Sequence, residues 1–244
     1  MTETISPSLL LNWNTYAQLV AFAVIGVGVI ILLGHYLKLL TTGDFKTRYD
    51  YINMHEINLL WYGFLLILIG VALFFNTLAD KTTWLWFFVI LFVSAMLAMI
   101  IGVVVQNILK FYYPFFIEKR LKKLRYTPRI SPDGRKMKLL SEEEEDVYLD
   151  EGMQAEENAF SVDYDVWIDE ISGFTKIEKY NGRLHALKCS ECNYQTLKVE
   201  REEVIQEATA TEEGELMKYF TCGYCGHKQR KSFNIAKLRE GEEA

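Results

Sequence analysis

Three stretches of this chain hold no Asp, Glu, Lys or Arg: the segment between Glu3 and Lys38, then Ile57 to Asn76, then Trp84 to Ile108. So long an absence of charge excludes a solvated helix, and each run reaches the roughly 20 residues that cross a bilayer. It also argues against a proton or ion pathway, which needs ionisable groups inside the span. The chain shows no Gly-rich phosphate loop and no nucleophile elbow, and its few cysteines are all accounted for below, so no catalytic constellation and no enzyme activity are expected. No basic region precedes the first apolar run and no small-residue cleavage site follows it, which disfavours a cleavable signal peptide.

The apolar runs predict three transmembrane helices within a membrane domain at 15–112, preceded by a tail at 1–14. One loop lies around Lys46 and a short one at Leu78-Ala79-Asp80-Lys81. The N-terminal tail has no Lys or Arg, the first loop has Lys38, Lys46 and Arg48, and the chain leaving the third helix is densely basic. The positive-inside rule then puts the N-terminus outside and the C-terminal tail in the cytoplasm. The expected location is a bacterial cytoplasmic (inner) membrane. Ser94, Ala98 and Gly102 recur every fourth residue, and Gly26, Gly28 and Gly34 add small residues to the first span, suited either to packing within the bundle or to docking a membrane partner. His35 and His55 flank the first loop at the edge of the apolar spans, where interfacial anchoring is favoured over haem ligation.

What is present in small number is placed with purpose. Cys189-Ser190-Glu191-Cys192 and Cys222-Gly223-Tyr224-Cys225 contain all four cysteines, as two Cys-x-x-Cys pairs separated by 29 residues. That spacing suits a tetrahedral thiolate site. Asn193-Tyr194 and Gly226-His227 follow the pairs, and Asn and Gly relieve a tight turn. Flanking segments at 195–199 and 218–221 alternate like short antiparallel strands, which predicts a small all-β zinc ribbon at 185–239. Zinc is favoured over rubredoxin-type iron because the insert is too polar for a compact aromatic core. His227 is read as an outer neighbour of the site, not a ligand.

Charge is divided sharply along the tail. From Lys110 to Lys138 ten Lys/Arg face only Glu118 and Asp133, whereas from Ser141 onward 12 Lys/Arg face 25 Asp/Glu. The basic juxtamembrane linker at 113–140, and within it 119–125, should attract anionic lipid head groups. The acidic surface beyond disfavours nucleic acid. Ser141-Glu142-Glu143-Glu144 reads as a capping box opening a helix to about Asn158. Ser161 to Ile168 reads as a strand with Val162, Tyr164, Val166 and Ile168 on one face and Asp163 and Asp165 on the wet one, paired across Ser172-Gly173 with 174–180. These elements make an acidic α+β module at 141–184.

The run Leu140-Ser141-Glu142-Glu143-Glu144-Glu145-Asp146-Val147-Tyr148-Leu149-Asp150-Glu151-Gly152, then Ala155-Glu156-Glu157 and Ser161-Val162-Asp163-Tyr164-Asp165-Val166-Trp167, resembles the C-terminal tail of membrane-anchored TPM-domain proteins. The resemblance covers Arg125 to Arg239 and implies a ribbon-like module around the acidic helix, followed by a four-cysteine ribbon. Where some members carry a first pair of knuckles, this chain has Thr127-Pro128-Arg129-Ile130 and Asp169-Glu170-Ile171-Ser172, so its first module is expected to be metal-free and held by a core including Tyr148, Leu149, Val162, Tyr164, Trp167 and Phe174. No TPM domain precedes the membrane segments, so no activity of that domain carries over. The expected protein is an α-helical membrane protein with a cytoplasmic α+β tail: an adaptor or accessory subunit docking a protein partner through its zinc ribbon, with a rubredoxin-like electron-transfer module as the alternative.

Overall fold

The computed structural model describes residues 4–78 and 83–238; the second predicted loop, from Ala79 through Lys81, lies outside them. The chain divides into two compact units, 1–127 and 128–244. The first holds three helices long and apolar enough to cross a membrane: α1 (Pro7–Thr41), α2 (Phe45–Leu78) and α3 (Trp84–Asn107), the last running on through a π-helical turn at Ile108–Tyr112 into α4 (Tyr113–Arg125). Pro7 stands in the first turn of α1, where its missing N–H costs nothing.

Glycine brings α1 and α2 together. A methyl group on Gly28 would lie 2.8 Å from the carbonyl oxygen of Gly63, one on Gly63 would lie 2.6 Å from Leu32, and one on Gly70 would lie 2.5 Å from Ile25. Backbones this close gain dispersion contacts, which carry helix association in apolar surroundings. The predicted stripe on the first span is therefore only partly used: Gly26 and Gly34 face open space, and Gly63 and Gly70 supply the other half of the seam. Ser94, Ala98 and Gly102 instead line an open apolar groove with Trp61, Leu65 and Ala72. At the far end of the pair, Trp13 Nε1 donates to Asn76 Oδ1 (3.2 Å) and Gln18 Nε2 to Thr77 Oγ1 (3.1 Å).

The second unit contains two three-stranded antiparallel sheets. In the first, β1 (Lys138–Leu139) and β3 (Thr175–Asn181) flank β2 (Val162–Ile168), and Gly173 at φ +72° makes the turn between β2 and β3. The capping box at Ser141 forms, with the Ser141 amide donating to Glu144 Oε2 (3.1 Å). The predicted single helix to Asn158 does not: α5 (Glu142–Glu145) runs into a 3₁₀ turn, Leu149 is extended, and α6 (Glu151–Asn158) starts afresh because the Asp150 carboxylate takes the Met153 amide (2.7 Å). Leu149, Val162, Tyr164 and Val166 form the core with Leu140 and Met153, whereas Tyr148 and Phe174 stay exposed, at 40% and 41%.

The wet face predicted for β2 is mostly dry. Asp165 and Trp167 are buried, and Trp167 is stacked under the guanidinium of Arg129 (4.7 Å). Arg129 Nε and Nη2 grip the Glu178 carboxylate at 2.9 and 2.6 Å, and Tyr180 donates to the same group at 2.8 Å. A bidentate pair explains how charge survives in a small interior. Asp169 is also buried: burial would raise its pKa, but hydrogen bonds from Ser172, Ile171, Ser131 and Arg135 outweigh that and hold it well below the usual carboxylate range. The second sheet comprises β4 (Leu197–Gln206), β5 (Gly214–Cys222) and β6 (Lys228–Ile235), and it carries the cysteine pairs at one end.

Candidate metal centre

The four predicted ligands converge. One pair lies in the turn just before β4, the other at the end of β5, and the ligand atoms of Cys189, Cys192, Cys222 and Cys225 all lie within 4.8 Å of one another. The two turns are built alike. Asn193 N donates to Cys189 O (3.0 Å) and Gly226 N to Cys222 O (3.1 Å), and the residue after each pair, Asn193 at φ +64° and Gly226 at φ +72°, takes the left-handed conformation that reverses the chain. Cys189 N then donates to Tyr194 O and Cys222 N to His227 O, both at 2.9 Å.

Distances test whether an ion fits. Sulfur separations of 3.7 Å for Cys189–Cys225 and for Cys192–Cys222 are far beyond a disulfide. Four sulfurs held tetrahedrally ~2.3 Å from one ion would lie about 3.8 Å apart. The two edges of 3.7 Å match, and the other sulfur pairs lie within 4.8 Å. Protonation chemistry agrees: burial and the neighbouring thiols push Cys192 up to about 12, while at Cys222 the Thr196 hydroxyl and the amides of Cys225 and Tyr224 outweigh burial and bring it down to about 6. Thiols in such a cluster cannot all ionise unless a cation joins them.

Thr196 was not singled out by sequence. It has no exposed surface, and its hydroxyl lies 3.0 Å from Cys222 Sγ, within reach to donate to a thiolate. The signal for it is weak: a hydroxyl residue just before a strand, distant in sequence from the cysteine it serves. His227 stays out of the cluster, its Nε2 3.3 Å from Ser190 Oγ. Four protein ligands complete a tetrahedron and leave no position for a substrate.

The turn of the first pair is anchored to the acidic module. Tyr194 lies against Gly152 so closely that a Cβ there would come within 2.1 Å of the ring, and its hydroxyl donates to Asp150 (3.1 Å). Next to it, Gln195 N donates to Glu156 Oε1 (2.5 Å), and this buried carboxylate also takes Lys179 Nζ (2.9 Å) and the hydroxyl of Tyr164. The two sheets are thus joined by a polar knot.

A second polar cluster belongs to the helical unit. Glu56, 1% exposed, accepts from Tyr113 (2.6 Å) and Arg120 and lies 3.6 Å from His35 Nε2, and His35 Nδ1 is 3.2 Å from the Tyr51 hydroxyl. His35 is therefore buried among helices, not an interfacial anchor, while His55 is exposed beside Tyr51. Glu56 was missed because it stands one residue before the second apolar run. Set beside models of known protein families, curated proteins and solved structures, this chain matches none of them.

Proposed function

We propose that this chain is a non-enzymatic, membrane-anchored adaptor or accessory subunit. Its three apolar helices cross a bacterial cytoplasmic membrane with the N-terminus outside, and its tail presents a zinc ribbon to a protein partner in the cytoplasm. The observation that carries the reading is the four-cysteine set on a three-stranded sheet that exposes an apolar face. The registers of β4, β5 and β6 put Val199, Val204, Leu216 and Phe233 on one face, and Val199, Val204 and Phe233 are exposed. Zinc would supply folding energy that so thin a sheet cannot draw from a core of its own. The likeness of 125–239 to the tail of TPM-domain proteins supports the same architecture and brings with it no activity.

Recovery of partners from native membranes by tagged full-length chain, compared with Val204→Lys and with Cys222→Ser, tests the proposal. A partner lost with both variants, while Val204→Lys keeps its metal, supports docking through this face. Equal recovery from all three sinks it. One observation favours the electron-transfer alternative: Cys225 is exposed, which gives an iron site an outlet for electrons. Colour decides, since a ferric tetrathiolate absorbs visible light and zinc does not.

A further inference from the structure

Where α1 ends and α2 begins, α4 closes over both and leaves a groove of about 450 Å³, within the range of small-ligand sites. Its floor is apolar: Phe45, Ile52 and Leu124, with Leu40 at the edge. Its rim carries Arg48, Arg120 and Lys123, one cation from the first loop side and two from α4. Arg120 is engaged by Glu56, but among the described residues the Arg48 side chain donates only to the carbonyl of Thr42 (2.5 Å), and its Nε is buried without a partner there. A guanidinium matched only in part within the chain favours an anionic acceptor beside it.

Depth argues for the same ligand. The groove begins at Leu39 and Leu40, directly after Lys38, the first charge to follow the apolar run of α1. A molecule settled there would have its polar end level with Arg48 and Lys123 and its apolar end against Ile52 and Leu124. We infer that this groove holds one anionic glycerophospholipid, its phosphate bridged by Arg48 and Lys123 and the start of an acyl chain laid on Phe45, Ile52 and Leu124. Such a site differs from diffuse attraction of head groups to the basic face of α4, because Lys119 and Lys122 carry the same charge on the same helix and do not line it. The guanidinium fork matches phosphate oxygens in pairs, which a zwitterionic head group would share with its own ammonium. The inference is independent of the metal centre.

Full-length chain in neutral detergent, titrated with phosphatidylglycerol and with phosphatidylcholine and read by native mass spectrometry, tests it. We expect a single phosphatidylglycerol retained in preference to phosphatidylcholine. Arg48→Gln and Lys123→Gln should each weaken it about fivefold, in line with roughly 1 kcal/mol for each near-surface cation. The paired change Lys119→Gln with Lys122→Gln should leave it in place. Leu40→Trp, which fills the groove at an exposed position, should lower retention with every charge intact. Arg120 is left unchanged because its loss would also strand Glu56. Equal retention of the two lipids, an equal loss in the Lys119/Lys122 variant, or displacement by inorganic phosphate alone would each overturn the site.

Discussion

Thr196 lies against the candidate metal site without contributing a ligand atom to it. Its hydroxyl, 3.0 Å from Cys222 Sγ, would spread the charge of a thiolate there. Thr196→Val should keep one ion per chain yet weaken it roughly 10- to 100-fold, as outer-neighbour changes do, and Thr196→Ser should restore most of the loss. Chelator competition reads both. Cys222→Ser removes a ligand outright, a loss of several kcal/mol against a total of roughly 10–16, and should abolish stoichiometric metal binding altogether. Glu145 provides a pH-dependent counterpart. Burial raises it to about 7 from 4.5, the hydrogen bond from the Val166 amide notwithstanding, with Glu157 and Glu142 adding to the rise. Between those two values the folded chain holds a proton that the unfolded chain has released, so stability falls as pH climbs through the window and levels off above it. Denaturant midpoints at either end of the window should differ for the native chain, and Glu145→Gln should reduce the difference. An unchanged slope would show that the carboxyl ionises freely.

At the scale of elements, the α1–α2 seam makes a sharp contrast. Gly63→Val drives a methyl group into Leu32 and should destabilise the pair by about 1–3 kcal/mol, as overpacking does. Gly26→Val meets open space and should leave it unchanged. Thermal melting in detergent separates the two. Sequence reading singled out Gly26, Gly28 and Gly34 and passed over Gly63 and Gly70, because pairing across helices depends on rotation, which apolar periodicity in an all-apolar run does not encode. The helix from Ser141 to Asn158 was misread for a related reason. Both caps were written in the sequence, at Ser141 and at Asp150, but an acidic run without an apolar face hides where one helix stops and the next begins.

For the whole molecule, the three long helices and the cysteine quartet were legible because each is a local pattern, a run without charge and a repeated spacing. Glu56, Arg129 and Asp169 were not, because a charge becomes structural only when a distant partner finds it: Arg120 for the first, Glu178 for the second, Arg135 for the third. The surplus of Lys and Arg after the third helix makes a prediction at this scale. A reporter joined to the C-terminus should work only as a cytoplasmic fusion, and a cysteine-labelling probe applied from outside should reach a cysteine placed at Lys81, a position beyond the described residues. An external C-terminus would remove the reducing compartment on which the proposed thiolate site depends.

The contact between Tyr194 and Gly152 has a consequence for heredity. An aromatic ring occupies the space that any side chain at position 152 would need, so the two positions are bound to change together. Gly152→Val should be a loss-of-function allele despite lying far in sequence from every cysteine. In a suppressor selection from that allele, revertants that keep the introduced valine should recur at codon 194 with a smaller residue in place of the tyrosine. Suppressors scattered evenly over the gene would mean that the ring moves aside without cost, and that the acidic module and the metal turn can evolve apart.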